Sequence, residues 1–257
     1  MRNWTMAFLP LALAMTATGC SGADRGDRGD RSETRGDADR AADAGPQTTQ
    51  NFTLTGFTGV QVAGPDDVTI RQGDNFSIAA RGPQAEIDEL DITLDGALLS
   101  IGRKREGFSL GGGRHRGVEI AITMPKLDTV RLTGSGSIDA DAVAGDKVAA
   151  VLTGSGDLKI AKLTGKRADI TVSGSGDIDI DNGTIDAGDI SVTGSGDVDA
   201  DGLVATTLAV SVTGSGNVET QATGKADVRV LGSGDVTLTG GATCSTRKMG
   251  SGTVTCR

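Results

Sequence analysis

The tripeptide Gly-Ser-Gly recurs seven times in the second half of this 257-residue chain. It begins at positions 134, 154, 174, 194, 214, 232 and 250, so the successive spacings are 20, 20, 20, 20, 18 and 18. A fixed period in this range is typical of a solenoid, in which each repeat forms one coil that stacks on its neighbours. The repeat therefore restricts the second half of the chain to a stack of similar coils.

Aliphatic residues occupy fixed positions around each tripeptide. One column lies two residues before the first glycine, as at Val172 and Val192, and another lies two residues after the second glycine, as at Ile178 and Val198. Residues of equal parity on a strand share one face, so both columns are expected to point inward. The pattern predicts an all-β fold. Since a hairpin meander cannot keep these identical parities, we expect a parallel β-helix with about 18–20 residues per coil, whose repeat coils cover positions 130–257.

The preceding residues also have the pattern of strands. Short alternations such as VTI (68–70) and VEIAITM (118–124) are separated by turn signals such as GPDD (64–67). No stretch has convincing helical periodicity. We therefore expect a single β-domain over residues 51–257.

The last coil departs from the aliphatic pattern. Thr246 and Lys248 stand where earlier coils carry Val or Ile, which suits a terminal cap that discourages further stacking. Cys244 and Cys256 lie six residues on either side of Gly250, both at inward parity. In an oxidising compartment this arrangement predicts a disulfide that closes the final coil.

Residues 1–19 have the features of a secretion signal, with Arg2 followed by an apolar run and then small residues before Cys20. The end of this segment resembles a lipobox, where cleavage precedes a cysteine that receives lipid, although Ala17 stands where that pattern usually has leucine. We expect Cys20 to be lipidated and residues 20–50 to be a disordered charged linker. Ordinary secretion with a free cysteine is the alternative.

The chain is acidic, with 34 Asp and Glu against 25 Lys and Arg and a formal net charge of −9. This balance argues against nucleic acid as a direct partner. The signal, with Ser21 behind Cys20, predicts an outer-membrane lipoprotein of the bacterial cell envelope, on its periplasmic or its surface-exposed side. The expected partners are the membrane, through the lipid anchor, and an envelope or surface ligand that is either a protein or a polysaccharide.

Together, three segments resemble a known family: GFTGVQVAGPDDVTIRQGDNFSIAARG (56–82), VEIAITMPKLDTVRLTGSGS (118–137) and the repeated Val-Thr-Gly-Ser-Gly-Asp-Val. They are similar to the head GIN domain of autotransporter adhesins. The resemblance covers residues 52–255 and implies a right-handed β-helix on lipoproteins or secreted proteins of the bacterial envelope. It supplies no catalytic motif.

Acidic residues occupy the outward positions after the corner in two adjacent coils. Like charges on neighbouring strands, about 5 Å apart, are destabilising, and a hard cation with oxygen ligands would relieve them. The sequence therefore suggests weak Ca²⁺ binding as the one candidate for a cofactor, and the alternative is a solvated acidic face without any cofactor. The candidate metal ligands are Asp177, Asp179, Asp181, Asp197, Asp199 and Asp201.

Catalysis is not expected from these residues. Paired aspartates such as Asp179 and Asp199 could in principle serve as acid and base on a polysaccharide. However, the acids form a periodic field, with no unique pair in an apolar pocket that would separate their roles. The only histidine, His115, stands between two arginines and has no partners for a triad.

One segment, RKREGFSLGGGRHR (103–116), is basic and partly apolar on an otherwise acidic chain. We predict that it is a binding loop for an acidic polymer or a protein partner, and an exposed hairpin tip is the alternative. The candidate binding residues are Arg103, Lys104, Arg105, Phe108, Arg114, His115 and Arg116.

The sequence as a whole predicts a non-catalytic, adhesin-like lipoprotein that binds or scaffolds at the cell envelope. A divalent-cation-stabilised structural module is the first alternative, and a polysaccharide-acting β-helical enzyme is the second.

Overall fold

A computed structural model describes residues 46–104 and 117–257 of the chain. Nearly all of its regular structure is β. The elements are β1 (Gln47–Phe52), β2 (Gly59–Gly64), β3 (Asp67–Gln72), β4 (Ser77–Pro83), α1 (Gln84–Asp88), β5 (Leu90–Asp95), β6 (Leu98–Arg103), β7 (Glu119–Met124), β8 (Thr129–Gly134), β9 (Ser137–Ala140), β10 (Val143–Gly154), β11 (Asp157–Ile160), β12 (Leu163–Gly174), β13 (Asp177–Ile180), β14 (Gly183–Gly194), β15 (Val198–Gly214), β16 (Val218–Gly232), β17 (Val236–Thr239), β18 (Thr243–Gly250) and β19 (Val254–Cys256).

The repeats form the predicted parallel β-helix. Equivalent residues of consecutive repeats pair in parallel register, as Val172 of β12 does with Val192 of β14. The same pairing continues through β15, and it is maintained between β16 and β18, where the repeat is shorter and Val228 pairs with Thr246. The result is a β-solenoid of about six turns, which confirms the fold class that the Gly-Ser-Gly period predicted.

The inward columns fill the interior of the solenoid. Val172, Val192, Ile178 and Val198 are all buried, with at most 1% of each residue exposed. At the N-terminal end, where the coils are less regular, Phe57 packs against Phe76 with ring centroids 4.9 Å apart. The predicted core of the repeat region is therefore confirmed, and aromatic rings contribute only near its beginning.

Where an inward column holds a small residue, larger side chains next to it fill the space. Gly188 stands in a column that otherwise holds larger side chains, and a Cβ there would lie 2.8 Å from the Cδ1 atoms of both Ile185 and Leu208. Those two side chains occupy the volume that Gly188 leaves free. This compensation keeps the interior close-packed although the coils differ in sequence.

The glycine corner holds consecutive coils together at the backbone. The N–H of Ser175 donates to the Gly154 carbonyl (2.9 Å), and the N–H of Ser195 donates to the Gly174 carbonyl (2.8 Å). Gly194 has φ +125°, and a Cβ on it would overlap the Gly174 carbonyl oxygen. A side chain at this position would therefore need both a left-handed backbone and space that the coil below already fills.

The N-terminal half contributes coils that are not in chain order. β2 pairs in parallel with β6 on one side and with β8 on the other, while β3 lies between β7 and β9. The coil of residues 59–72 is therefore enclosed by coils that the chain forms later. Antiparallel strands complete this end, since β5 pairs with β6, β4 with β7, and β1 with β4.

A short helix, α1, joins β4 to β5 and buries Ile87. No stretch of the sequence had convincing helical periodicity, and this helix has only five residues. So short a segment cannot display helical periodicity.

The coil shortens on one side only. Between β15 and β16 the register changes between Ala200 and Val204, and again between Ala205 and Thr207. Beyond these shifts the two strands run in continuous register to the next glycine corner. The change to the shorter repeat is thus absorbed before the chain reaches that corner.

The C-terminal coil has the polar cap and the disulfide that were predicted. Thr246 and Lys248 are exposed although they follow inward columns. Cys244 and Cys256 are bonded, with Cα atoms 6.6 Å apart. Because Cys244 is in register with buried Ala226 and Cys256 with buried Leu238, the disulfide joins two sides of the last coil across the end of the core.

Among residues 46–104 and 117–257, no helix is both long enough and apolar enough to cross a membrane.

Replacing a corner glycine should disrupt stacking more than it disturbs local conformation. We expect Gly194→Ala to lower the free energy of unfolding by roughly 3 kcal/mol, because backbone strain is combined with a clash against the coil below. Gly241→Ala is the matched control, since Gly241 has φ +77° but a Cβ added to it would meet no atom within 4 Å. That change should cost only about 1 kcal/mol. Chemical denaturation measures both, and equal losses would contradict the stacking explanation.

Candidate functional site

Three outward columns of polar residues cover the side of the solenoid that follows the glycine corner. The first of these columns caps the backbone. The N–H of Asp197 donates to Asp177 Oδ1 (2.9 Å), the N–H of Asn217 donates to Asp197 Oδ1 (2.6 Å), and the N–H of Asp235 donates to Asn217 Oδ1 (3.1 Å). Each side chain therefore satisfies a backbone donor of the next coil, at a point where the strand ladder is interrupted. This gives Asp177 and Asp197 a structural role.

The second column contains the repulsive contacts. Asp179 and Asp199 are in register on adjacent strands, and Asp199 is in register with Glu219. Partial burial, and then the charge of Asp199, raise the pKa of Asp179, while Lys159 acts in the opposite direction. The ionised form of Asp179 is thus disfavoured in the folded protein.

In the third column, Asp181 has a cationic neighbour, since Lys159 Nζ lies 3.4 Å from Asp181 Oδ1. The Gln221 side chain donates to the backbone carbonyl of Asp201 and not to its carboxylate. With the first two columns, this completes the set of six aspartates that the sequence proposed as calcium ligands.

The geometry gives no specific support for a metal there. In the described parts of the chain, no group of three or more His, Cys, Asp or Glu side chains is placed to hold a metal ion. Calcium binding by the six aspartates therefore stays a prediction. Asp179 and Asp199 are both exposed residues of the sheet surface.

A different surface, which we call the N-terminal trough, lies on the same side of the solenoid near its first coils. It is an open groove of about 610 Å³ that crosses strands β1, β4, β7, β3 and β9. Its floor is made of small side chains, because Ala79 is in register with Ala121 and Ala121 with Thr69. The floor can therefore accommodate a ligand that approaches the sheet closely.

Charged residues line one side of the N-terminal trough. Arg81, Glu119 and Asp67 follow one another in cross-strand register. Ser137 Oγ donates to Asp67 Oδ1 (2.7 Å) at the end of this row. The row offers donors and acceptors side by side along the groove, which is suited to a polar ligand.

The trough was not predicted from the sequence. Each strand shows its outward residues through period two, but the trough depends on which strands are neighbours. The order β4–β7–β3–β9 is not the order of the chain, so local patterns carried no signal for it.

Arg103, the first residue of the predicted binding loop, has a largely buried side chain. Its guanidinium pairs with Asp66, which is fully buried, and with Glu86 Oε2 (3.0 Å). Asp66 Oδ1 also accepts the N–H of Val118 (2.9 Å), which lies on the other side of the loop. This network joins the two chain segments that flank the loop, and it gives Arg103 a structural position.

Lys104 also contacts the protein, since its ammonium group donates to the Asp88 carbonyl and its N–H donates to the Glu89 carbonyl (2.8 Å). The other candidates of the loop lie outside the described residues, and so does the candidate lipidation site Cys20. Those candidates are Arg105, Phe108, Arg114, His115 and Arg116.

The architecture places the chain in the class of parallel β-helical proteins, here with polar grooves open along the outside of the coils. The sequence profile of the family described as "Putative auto-transporter adhesin, head GIN domain" matches residues 56–242. The chain belongs to this family, and the resemblance drawn from the sequence is confirmed. No curated protein sequence matches the chain.

Solved structures of similar fold come from Bacteroides and Parabacteroides species. A "putative adhesin" from Bacteroides fragilis has a TM-score of 0.73 and 20% identity, with 82% of this chain and 97% of that chain covered. A "putative adhesin" from Parabacteroides merdae has a TM-score of 0.62 and 19% identity, covering 83% and 97%. At these identities the likeness establishes the fold alone.

A third similar structure carries a different description. A "putative lipid binding protein" from Parabacteroides distasonis has a TM-score of 0.62 and 21% identity, covering 83% of this chain and 97% of that chain. The family, described as adhesin-like, favours a cell-surface or envelope protein over an enzyme.

Removing the charge of Asp179 should stabilise the protein in a pH-dependent way. The folded-state pKa is raised above the ordinary value of 3.8, so the ionised carboxylate opposes folding at neutral pH. Asp179→Asn should therefore melt at a higher temperature than the wild type near pH 7. Below pH 3.8 the wild-type group becomes protonated in both states, and the difference should disappear.

Thermal melting followed by circular dichroism at several pH values measures this effect. Asp91→Asn, on exposed strand β5, is the control that removes the same formal charge away from the acidic columns. An equal gain in both variants would show that net charge, and not the column, is responsible.

Breaking the buried ion pair should be costly. Arg103→Ala leaves the carboxylate of Asp66 without its main cationic partner inside the protein, so we expect a loss of about 3 kcal/mol in unfolding free energy. Arg131→Ala removes an exposed arginine of β8 and should change the stability by less than about 0.5 kcal/mol. Denaturant unfolding of both variants tests this expectation, and a loss below about 1 kcal/mol for Arg103→Ala would contradict it.

Proposed function

We propose that this protein is a non-catalytic, adhesin-like binding module of the bacterial cell envelope, and that the N-terminal trough holds its ligand. The observation that carries the proposal is the trough itself, in which a floor of small side chains runs beside a row of charged ones. The secretion signal in residues 1–19 and the lipid on Cys20 belong to the same proposal, as the means by which the module reaches the envelope.

The chemistry of the trough favours a hydroxyl-rich polysaccharide. The carboxylates of Glu119 and Asp67 accept hydrogen bonds from hydroxyl groups, and the guanidinium of Arg81 donates to hydroxyl and ring oxygens. The groove is open and crosses five strands, so a long polymer can continue beyond it in both directions. A highly anionic polymer is disfavoured, because two carboxylates face it for each guanidinium.

Binding is favoured over catalysis by the arrangement of the acids. Glu119 and Asp67 are in register on adjacent strands, and both are exposed on an open surface. Hydrolysis of a glycosidic bond needs two carboxyl groups whose pKa values are held apart. The trough instead offers a row of exposed hydrogen-bonding groups, as a binding surface does.

Filling the trough should abolish binding without unfolding the protein. Ala121→Phe places a large side chain on the floor at an exposed strand position, where an aromatic residue is compatible with β-structure. Ala209→Phe is the matched control, because Ala209 is an exposed strand residue on a different side of a later coil. Glu119→Gln separately tests the charged row.

The measurement is co-sedimentation of the purified protein with insoluble envelope polysaccharide that has been freed of protein by protease. We expect at least a tenfold loss of affinity for Ala121→Phe and unchanged binding for Ala209→Phe. Periodate oxidation of the polysaccharide should remove binding of the wild type. If both phenylalanine variants bind equally well, or if only untreated protein-containing envelope is bound, the trough is not a polysaccharide site.

A further inference from the structure

The outward surface beside the glycine corner changes its chemistry in the last two coils. One column, directly before the corner, consists of hydroxyl residues through Thr193 and Thr213 and then continues as Leu231 and Met249. The neighbouring column changes from Ser211 to arginine in the same two coils. We call the resulting area the C-terminal patch, and it comprises Arg229, Leu231, Arg247 and Met249. Lys248, between the last two residues, follows the inward column of Val230 and lies over the end of the core.

The core does not require this change. Leu231 is 53% exposed and Met249 is 72% exposed, and the register places them side by side. Only one other large apolar side chain of the described residues, Leu94, is exposed. Threonine serves at the equivalent positions of earlier coils, so the apolar pair contributes to the surface and not to the fold.

The C-terminal patch is also basic within an acidic protein. No Asp or Glu occurs after Asp235, while Arg247, Lys248 and Arg257 all follow it. Arg229 lies in register with Arg247, which brings two guanidinium groups onto adjacent strands. The charge of the C-terminal patch is therefore positive, whereas the net charge of the whole chain is −9.

The patch adjoins an open strand edge. β18 is paired with β16 on one side, and the structure places no further strand of the described residues on its other side. An edge of this kind presents backbone N–H and C=O groups to which an added strand can hydrogen-bond. The N-terminal trough lies at the opposite end of the stack, so the two surfaces are independent.

We propose that the C-terminal patch and the edge of β18 bind an extended, acidic segment of a partner protein by strand addition. Charge complementarity selects the partner, because side chains opposite Arg247 and Lys248 must be acidic to be accommodated well. The residue opposite Met249 is apolar and covers the Met249 and Leu231 side chains. For a strand added in parallel, as β18 itself pairs with β16, the recognition sequence is two acidic residues followed by an aliphatic one.

A second copy of this chain fits the edge less well. Pairing of two β18 strands would bring Arg247 and Lys248 of both copies onto one short interface, and four cations would repel one another. A lipid surface would satisfy the charges and the apolar pair, but it would leave the backbone groups of the edge without partners. An acidic strand satisfies all three features.

The test uses two synthetic peptides, TVTEEVTVT and TVTKKVTVT, whose binding to the full-length protein is measured by fluorescence polarisation. We expect the glutamate peptide to bind at least tenfold more tightly than the lysine peptide. The double variant Arg247→Glu with Lys248→Glu should reverse that preference. Met249→Thr, which restores the residue type of earlier coils, should weaken binding of the glutamate peptide several-fold.

The matched control is Arg131→Glu, a charge reversal in the same outward column as Arg247 but near the other end of the stack. It should leave peptide preference unchanged, and circular dichroism establishes that every variant is folded. No preference in the wild type, or no reversal in the double variant, overturns the proposal.

Two further outcomes would assign the surface to another occupant and would equally overturn the proposal. One is binding to vesicles containing anionic phospholipid that is lost in the double variant while the peptides do not bind. The other is concentration-dependent dimerisation in analytical ultracentrifugation that Met249→Thr abolishes. Loss of polysaccharide binding through Ala121→Phe has no bearing on this result, because that residue lies in the N-terminal trough.

Discussion

The close contact between glycine corners determines the rest of the structure. Each corner donates backbone hydrogen bonds to the corner below, as from Ser195 to Gly174, and no Cβ fits between them. This contact fixes the position of each coil along the solenoid axis, so residues one repeat apart must form columns. Once the columns are fixed, the inward ones have to be aliphatic, while the outward ones are free to vary.

Because the residue types of the outward columns are free to vary, neighbouring columns on one face have different roles. Asp177 and Asp197 bond to the backbone of the next coil, whereas Asp179 and Asp199, only two residues further along, repel each other. A count of aspartates in the sequence treats these residues as equivalent. Their separate roles depend on where the backbone ladder is interrupted, which only the structure reveals.

The repeat region could be predicted well because its contacts follow from a single period. The inward columns, the polar cap at Thr246 and Lys248, and the disulfide of Cys244 with Cys256 all depend on position relative to a Gly-Ser-Gly corner. The N-terminal half lacks such a period. There β3 lies between β7 and β9, and β4 pairs with β7, so residues that are distant in the chain come together in the N-terminal trough. The burial of Arg103 against Asp66 likewise joins distant parts of the chain.

The shorter period of the last coils shows where such a molecule can change its length. The shortening lies where β16 pairs with residues 200–207 of β15, on the side of the coil away from the corner, and the following corner at Gly232 still stacks directly on Gly214. Insertions and deletions in descendants of this chain should therefore accumulate on that side, where they alter the outline of the cross-section. The other two sides can diverge in side chains while their spacing is inherited unchanged.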